Sequence, residues 1–349
     1  MPLPFLARLR PVSIASYAGF RNETRIHLRA RVLRRNPLDW QTSGGARKFL
    51  KLAQLYASHE LAGVTVRLDA HGQRWESTTD DEGFVLFDEA IDERALPHHP
   101  AWETGTLTLP DHEDAKSAPA SLLAPGGHER LGIISDIDDM IVETGAHDFL
   151  SNWRRFLLDM PSDRVAVPGA AELYGRLGDP TGPGPEREPL RPFFYISSSP
   201  WNLYGFITEF MAVNGLPHGP MLLRDWGLSR DTLGKSSHGR HKADAIEHIL
   251  SFYPDHRFIL IGDDTQGDAA AYAHAVQTYP GRIAGVLIRT ATGETVPERI
   301  APALQDIAAA KVPLWAGPAY DVSHRILDHF GMAEDGETDA VAGIERRSD

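Results

Sequence analysis

Cysteine is absent from the 349 residues. That excludes disulfides, a disulfide-linked partner, thiolate metal ligands and a cysteine nucleophile, so any chemistry must come from oxygen and nitrogen groups. The redox compartment stays open. Also missing is any apolar stretch of the ~20 residues that a membrane-spanning helix needs. Residues 1–8 are interrupted by Pro2 and Pro4, so no signal peptide is expected, and the chain is expected to be soluble and cytoplasmic. Positive charge is scarce: 35 Lys and Arg against 48 Asp and Glu leave a net −13. This argues against general nucleic-acid affinity. No internal repeat is visible.

The deficit is uneven. Residues 1–60 hold eleven basic residues (Arg8, Arg10, Arg21, Arg25, Arg29, Arg31, Arg34, Arg35, Arg47, Lys48 and Lys51) against Glu23, Asp39 and Glu60, an excess of +8 that leaves −21 for the remainder. Such a basic lobe could dock on anionic lipid headgroups as a peripheral membrane contact. The plainer reading is solvated charge, paired in part with acidic residues. The hydrophobic content of 42% and charged content of 24% are ordinary for a globular protein, and the length allows two domains.

Residues 1–125 read as a small β-sandwich. Thr24 to Arg35 places Ile26, Leu28, Ala30 and Val32 on one face, which is strand periodicity. Further strands are expected at 63–68, 75–79, 84–87 and 106–109, with a turn at 70–73 and a hairpin turn at Asp80-Asp81-Glu82-Gly83. Between the first two strands, 46–59 carries a helical stripe of Phe49, Leu50, Leu52, Leu55 and Tyr56. Residues 110–129, with Pro110, Pro119, Pro125, Gly126 and Gly127, read as linker.

From 130 to 330 strand and helix patterns alternate, predicting a doubly wound parallel sheet with helices on both faces. The strands fall at 131–135, 193–197, 220–224, 258–262 and 283–288. The helices fall at 146–160, 168–178, 201–214, 240–252, 266–278 and about 300–309. The tail at 331–349 is acidic and poor in large apolar residues, and is expected to be disordered.

Two of the apolar runs end in carboxylates: Leu131-Gly132-Ile133-Ile134 leads to Asp136 and Asp138, and Phe258 to Gly262 leads to Asp263 and Asp264. Strand tips are where open α/β sheets bind ligands. Carboxylates gathered there repel one another unless a hard cation neutralises them, and Mg²⁺ is the usual oxygen-ligated choice. In Asp136-Ile137-Asp138, one carboxylate can attack phosphorus while the other, protonated, donates to the leaving oxygen; an acidic loop capping a strand is the alternative. Ser197 and Ser198 end a further strand and suit phosphoryl oxygens, while serving equally as an N-cap for the helix near Trp201. Lys242 could neutralise the site, although a helical lysine usually faces solvent. Asp263, Asp264 and Asp268 could ligate metal, or cap the next helix.

Taken in order, Asp-x-Asp, strand-then-Ser, Lys and Gly-Asp-Asp resemble the four motifs of the haloacid dehalogenase-like (HAD-like) phosphohydrolases. More narrowly, Ser135-Asp136-Ile137-Asp138-Asp139, Tyr195 to Tyr204 and Ile261 to Gln266 are similar to the actin-patch phosphatidate phosphatase family and its bacterial relatives, over about 131–290. The N-terminal β domain is similar, more weakly, to the accessory domain of bacterial members. The resemblance implies a HAD-like fold in which Asp136 is the nucleophile and Asp138 the general acid/base. Ser197 would bind the phosphoryl group and Lys242 stabilise the anionic site. Mg²⁺ would be held by Asp136, the Asp138 carbonyl and Asp263, with Asp264 or Asp268 in support. One departure is Met140, where these proteins usually carry Thr or Val.

Phosphatidate, giving diacylglycerol and phosphate, is the substrate that the resemblance implies. A soluble phosphomonoester is the alternative, and a silent lipid-binding or scaffold module a third reading. Residues 143–167, with Phe149, Trp153, Arg154 and Arg155, form an insertion beside the site that could meet a lipid interface or pack over the entrance. Arg224 and Arg289, near strand ends, are candidate substrate contacts.

Overall fold

The computed structural model describes residues 11–34, 59–112, 114–137, 167–178, 190–224, 236–265, 267–290, 296–318, 320 and 323–330. The expected helix at 46–59 except His59, which is strand rather than helix, the insertion at 143–167 except Val167, and the tail at 331–349 lie outside these.

Among the described residues, nine strands build the N-terminal region: β1 (Val12–Ser16), β2 (Gly19–Arg21), β3 (Arg25–Arg34), β4 (His59–Glu60), β5 (Thr65–Ala70), β6 (Gln73–Thr78), β7 (Phe84–Ala90), β8 (Ala101–Thr108) and β9 (Ala118–Ala124). They join in one hydrogen-bonded sheet in the order β1-β3-β2-β9-β8-β5-β6, with β4 and β7 also on β3. The sheet is continuous because β3, the longest strand, pairs with β1 and β2 on one edge and with β4 and β7 on the other. Alternate residues of β3 (Ile26, Leu28, Ala30, Val32) point into one core with Val66 and Leu68 of β5 and Phe87 of β7, as a period-2 pattern dictates.

Two expectations need correction here. The Asp80–Gly83 turn forms, with Asp80 Oδ1 accepting from the amides of Glu82 and Phe84 at 2.9 and 2.8 Å, but it does not close a hairpin. Strand β6 pairs with β5, and β7 with β3. The hairpin lies one turn earlier, where His71 and Gly72 both take positive φ (54° and 78°) between the paired Ala70 and Gln73, the I′ geometry that matches strand twist. Residues 118–124 are also no linker but strand β9, paired with β8 and β2. Its alanines and Pro119 mask the strand signal. Pro119 is tolerated because β2 pairs only with Leu122 and Leu123, leaving that stretch of β9 without a second ladder.

The second sheet has six parallel strands: β10 (Leu131–Asp136), β11 (Phe193–Pro200), β12 (Met221–Arg224), β13 (Arg257–Asp263), β14 (Ile283–Arg289) and β15 (Leu314–Gly317), in the order β12-β11-β10-β13-β14-β15. Its helices are α1 (Ala170–Gly178), α2 (Tyr204–Val213), α3 (Ser236–Phe252), α4 (Asp268–Thr278), α5 (Ala301–Ala309) and α6 (Ser323–His329). Strand β15 and helix α6 were not foreseen; each is short and only half-patterned. Neighbouring residues of one strand enter different cores: Ile133 and Ile259 pack with α1, α2 and α6, whereas Ile134 and Leu260 pack with α3, α4 and α5. Both faces are covered, which is why these strands read as unbroken apolar runs. The strand order reverses between β10 and β13, the position where such sheets open a ligand crevice at their C-terminal edge.

The two regions share their cores. Tyr17 and Phe84 pack into the cluster on one face of the parallel sheet, and Phe20 and Leu123 into the cluster on the other. The N-terminal arginines are matched largely within their own region: Arg21 with Glu103, Arg25 with Asp88 and Arg31 with Glu60. Among the described residues no helix is long and apolar enough to cross a membrane.

Candidate active site

Asp136 closes β10. On one side it lies opposite Ile196 of β11, so Ser197 follows alongside; on the other, Ser135 lies opposite Ile261 of β13, so Gly262 and Asp263 follow. Three segments distant in sequence thus end side by side, about 4.8 Å apart from strand to strand. The expected cluster of Asp136, Ser197 and Asp263 is one place in the fold. Asp138 and Met140 lie outside the described residues.

Lys242 is the electrostatic centre. It lies in the second turn of α3, which begins at Ser236 rather than near 240 as expected, and it is fully buried. Its Nζ lies 3.1 Å from Asp136 Oδ2 and is ion-paired with Asp268 Oδ1. A buried lysine without a partner would cost several kcal/mol, roughly what its carboxylates offset. The other oxygen of Asp268 accepts the Asp263 amide at 3.0 Å. Both Asp268 oxygens are therefore engaged in aligning Lys242 and the β13 terminus, and neither caps α4, whose N-cap is Gly267. Burial raises Asp268 above the usual carboxylate pKa, with Lys242 opposing and the Asp263 charge adding to the rise. Gly262 makes the arrangement sterically possible: a Cβ there would sit 2.5 Å from both Asp268 Oδ2 and Tyr272 Oη.

At the end of β11, Ser197 Oγ accepts the Ser199 amide at 2.9 Å, and the 3₁₀ turn at Trp201–Leu203 takes Pro200 as its N-cap without side-chain help. The serine N-cap alternative is not what forms. Ser198 is fully buried next to it. Arg224, at the tip of β12, is buried, and burial lowers its pKa. Arg289 ends β14 opposite Asp263. All of these lie at the C-terminal edge. Asp264 follows Asp263 at this edge: Arg299 donates to its carbonyl at 2.7 and 3.2 Å and pairs with its carboxylate at 3.5 Å.

Three contributors were not read from the sequence. Thr265 donates from its amide (2.7 Å) and hydroxyl (2.8 and 2.7 Å) to the Asp263 carboxylate, fixing its direction. His241 Nε2 donates to the Ser197 carbonyl at 3.2 Å. Arg299 holds Asp264 as above. The Asp-x-Thr spacing is a local turn signal that could have identified Thr265; Arg299 leaves no local trace.

Residues 131–290, from the start of β10 to just beyond β14, match the family model described as the catalytic domain of phosphatidate phosphatase APP1. The resemblance to that family holds over the segment that carries the site residues above other than Arg299. Phosphatidate phosphatase APP1 of Saccharomyces cerevisiae is 30% identical over 218 residues, covering 61% of this chain and 34% of that protein. The uncharacterized protein C29B5.04c of Schizosaccharomyces pombe is 23% identical over 216 residues, covering 60% and 34%. The chain thus spans about a third of the length of these curated relatives. Among solved structures, a bacterial immunoglobulin-like domain from the M. primoryensis ice-binding adhesin aligns with 34% of this chain and 94% of its own, at 12% identity and a TM-score of 0.14, too low to equate the folds.

Proposed function

We propose that the chain is a Mg²⁺-dependent phosphomonoester hydrolase with a HAD-like catalytic domain, acting through an aspartyl-phosphate on Asp136, with phosphatidate as its substrate. The observation that carries this reading is the fully buried Asp136–Lys242–Asp268 network at the switch point of a parallel sheet, in a segment similar to a phosphatidate phosphatase catalytic domain. A buried carboxylate aimed at a ligand crevice and paired with a lysine suits nucleophilic attack at an anionic centre.

The donor set suits a hard cation. Among the described residues no three acidic or histidine side chains converge on one point, yet Mg²⁺ is commonly held by one or two carboxylates with waters and substrate phosphate completing its shell. Asp136 and Asp263 would be those carboxylates, with the Asp138 carbonyl as the expected third protein ligand. When bound, the ion would screen the negative charge on the transferring group.

The residues then divide the work. An Asp136 oxygen forms the bond to phosphorus as the bond to the leaving oxygen breaks, and Asp138 gives that oxygen its proton. Lys242 pairs with Asp136 and directs it, while Ser197 and neighbouring amides hold the phosphoryl oxygens. Asp138 next takes a proton from water, which attacks phosphorus and frees Asp136 and inorganic phosphate. Release of phosphate from p-nitrophenyl phosphate and from phosphatidate in mixed micelles, each with Mg²⁺ and with chelator, tests the reading. Mg²⁺-dependent turnover of both supports it. Turnover of the first alone moves the substrate to a soluble phosphomonoester, and turnover of neither refutes an active phosphatase.

A further inference from the structure

We propose that the N-terminal sheet is a working part of the active site, with Arg31 acting through Asn202 as a positioning residue for the phosphoryl-binding segment 197–204. This rests on the phosphatase reading above. The segment needs outside support: the β11–β12 register shifts between Ser197 and Pro200, so the sheet's own ladder lapses at the serines. The N-terminal region supplies what the ladder does not. Arg31, on β3, is buried. Three contacts fix its guanidinium on its own side: Nε donates to the Glu82 carbonyl at 2.8 Å, Nη2 meets Glu60 at 3.2 Å, and the group lies 4.3 Å from the centre of the Phe84 ring. Nη1 is left directed across the boundary, donating to Asn202 Oδ1 at 2.6 Å.

Neighbouring contacts act in the same sense. The Ala18 amide donates to Tyr204 Oη at 2.8 Å, the Tyr17 ring packs 4.6 Å from Trp201, and the Arg29 guanidinium lies 5.1 Å from the Trp201 ring. Trp201, Asn202 and Tyr204, the residues just beyond the serines, are thus all held from the other region. Reacting groups displaced by about 1 Å can lose 10²-fold in rate, so such support has catalytic consequences.

The test uses the full chain with Arg31→Ala, Asn202→Ala, the double variant and Arg31→Lys. Three quantities are followed: steady-state hydrolysis of p-nitrophenyl phosphate with Mg²⁺, calorimetric binding of inorganic phosphate, and amide hydrogen exchange. Each single alanine variant is expected to raise KM and the phosphate Kd about 10-fold, with kcat changed much less. The double variant should be no worse than either single, because both remove one contact, and Arg31→Lys should recover part of the loss. Amides of 197–204 should exchange faster while those of β13 do not. Unchanged KM and phosphate affinity in Asn202→Ala, or additive losses in the double variant, would overturn the positioning role even if Arg31→Ala proved unstable. A wild-type chain that neither turns over nor binds phosphate would overturn the phosphatase reading itself, and this inference with it.

Discussion

The two sheets differ in how they bury themselves, and that decides what each can do. The parallel sheet is covered on both faces, so its strands are apolar throughout and polar groups collect at the tips, where Asp136, Ser197 and Asp263 stand. The N-terminal sheet keeps one face inward, and its strands alternate, as β5 and β6 do. Its charged residues are spread along exposed faces and neutralise one another in pairs such as Arg67 with Glu76. A site with concentrated, buried charge arises from the first arrangement. The second yields a scaffold, whose influence is exerted through contacts.

That contrast can be tested at several scales. The largest effect is expected from Asp136→Asn: turnover should fall by about 10³-fold or more while the fold survives, as phosphate-release kinetics and circular dichroism would report; full activity would remove Asp136 as nucleophile. Next is Phe20→Ala. Phe20 belongs to β2 but packs against Phe194, Phe252 and Tyr253 of the parallel-sheet region. Its truncation should cost about 3–5 kcal/mol in urea unfolding, and should shift one shared transition. Two separated transitions would mean that the regions fold independently.

Gly262→Ala should cost about 1–3 kcal/mol through overpacking against Asp268 and Tyr272; a neutral result would show that the first turn of α4 can yield. A pH effect of similar or smaller size should arise at the boundary. Burial, together with the nearby His248, lowers His27 to about 3, despite the opposing charge of Asp88. The unfolded chain, with an ordinary histidine pKa near 6.5, binds that proton more readily. The contribution is therefore fully present above pH 6.5 and is lost as pH falls toward 3, by about 2 kcal/mol at pH 5. His27→Gln should flatten this slope in thermal melts across pH. The smallest change belongs to the N-terminal surface: Arg67→Ala should alter stability by under about 0.5 kcal/mol and leave catalysis untouched.

The C-terminal half was the more legible in the sequence because its physics is local. A run such as Phe258 to Gly262, ending in Asp263, states burial, direction and chemistry within a few residues. Lys242 was picked out by its order among the motifs, but nothing around it announces complete burial. That depends on Asp136 and Asp268, which reach it from other elements. Strand β9 was read as linker because alanine and proline carry little strand signal, and its identity depends on partners β8 and β2. The Asp80–Gly83 turn was visible, but which strands it joins is a matter of long-range pairing that no turn residue encodes. Arg31, one arginine among many in a basic stretch, gains its meaning only from Asn202.

The interlocked cores also bear on inheritance. Leu131, where the similarity to the catalytic family begins, is a poor place to cut or recombine the gene. A fragment starting there would leave bare the flanks that Tyr17, Phe20, Phe84 and Leu123 cover. An N-terminal half borrowed from a relative would be accepted only if its aromatic residues met Phe194, Trp201 and Phe252 in the same way. The two halves should therefore have diverged in step, each substitution along the seam answered from across it.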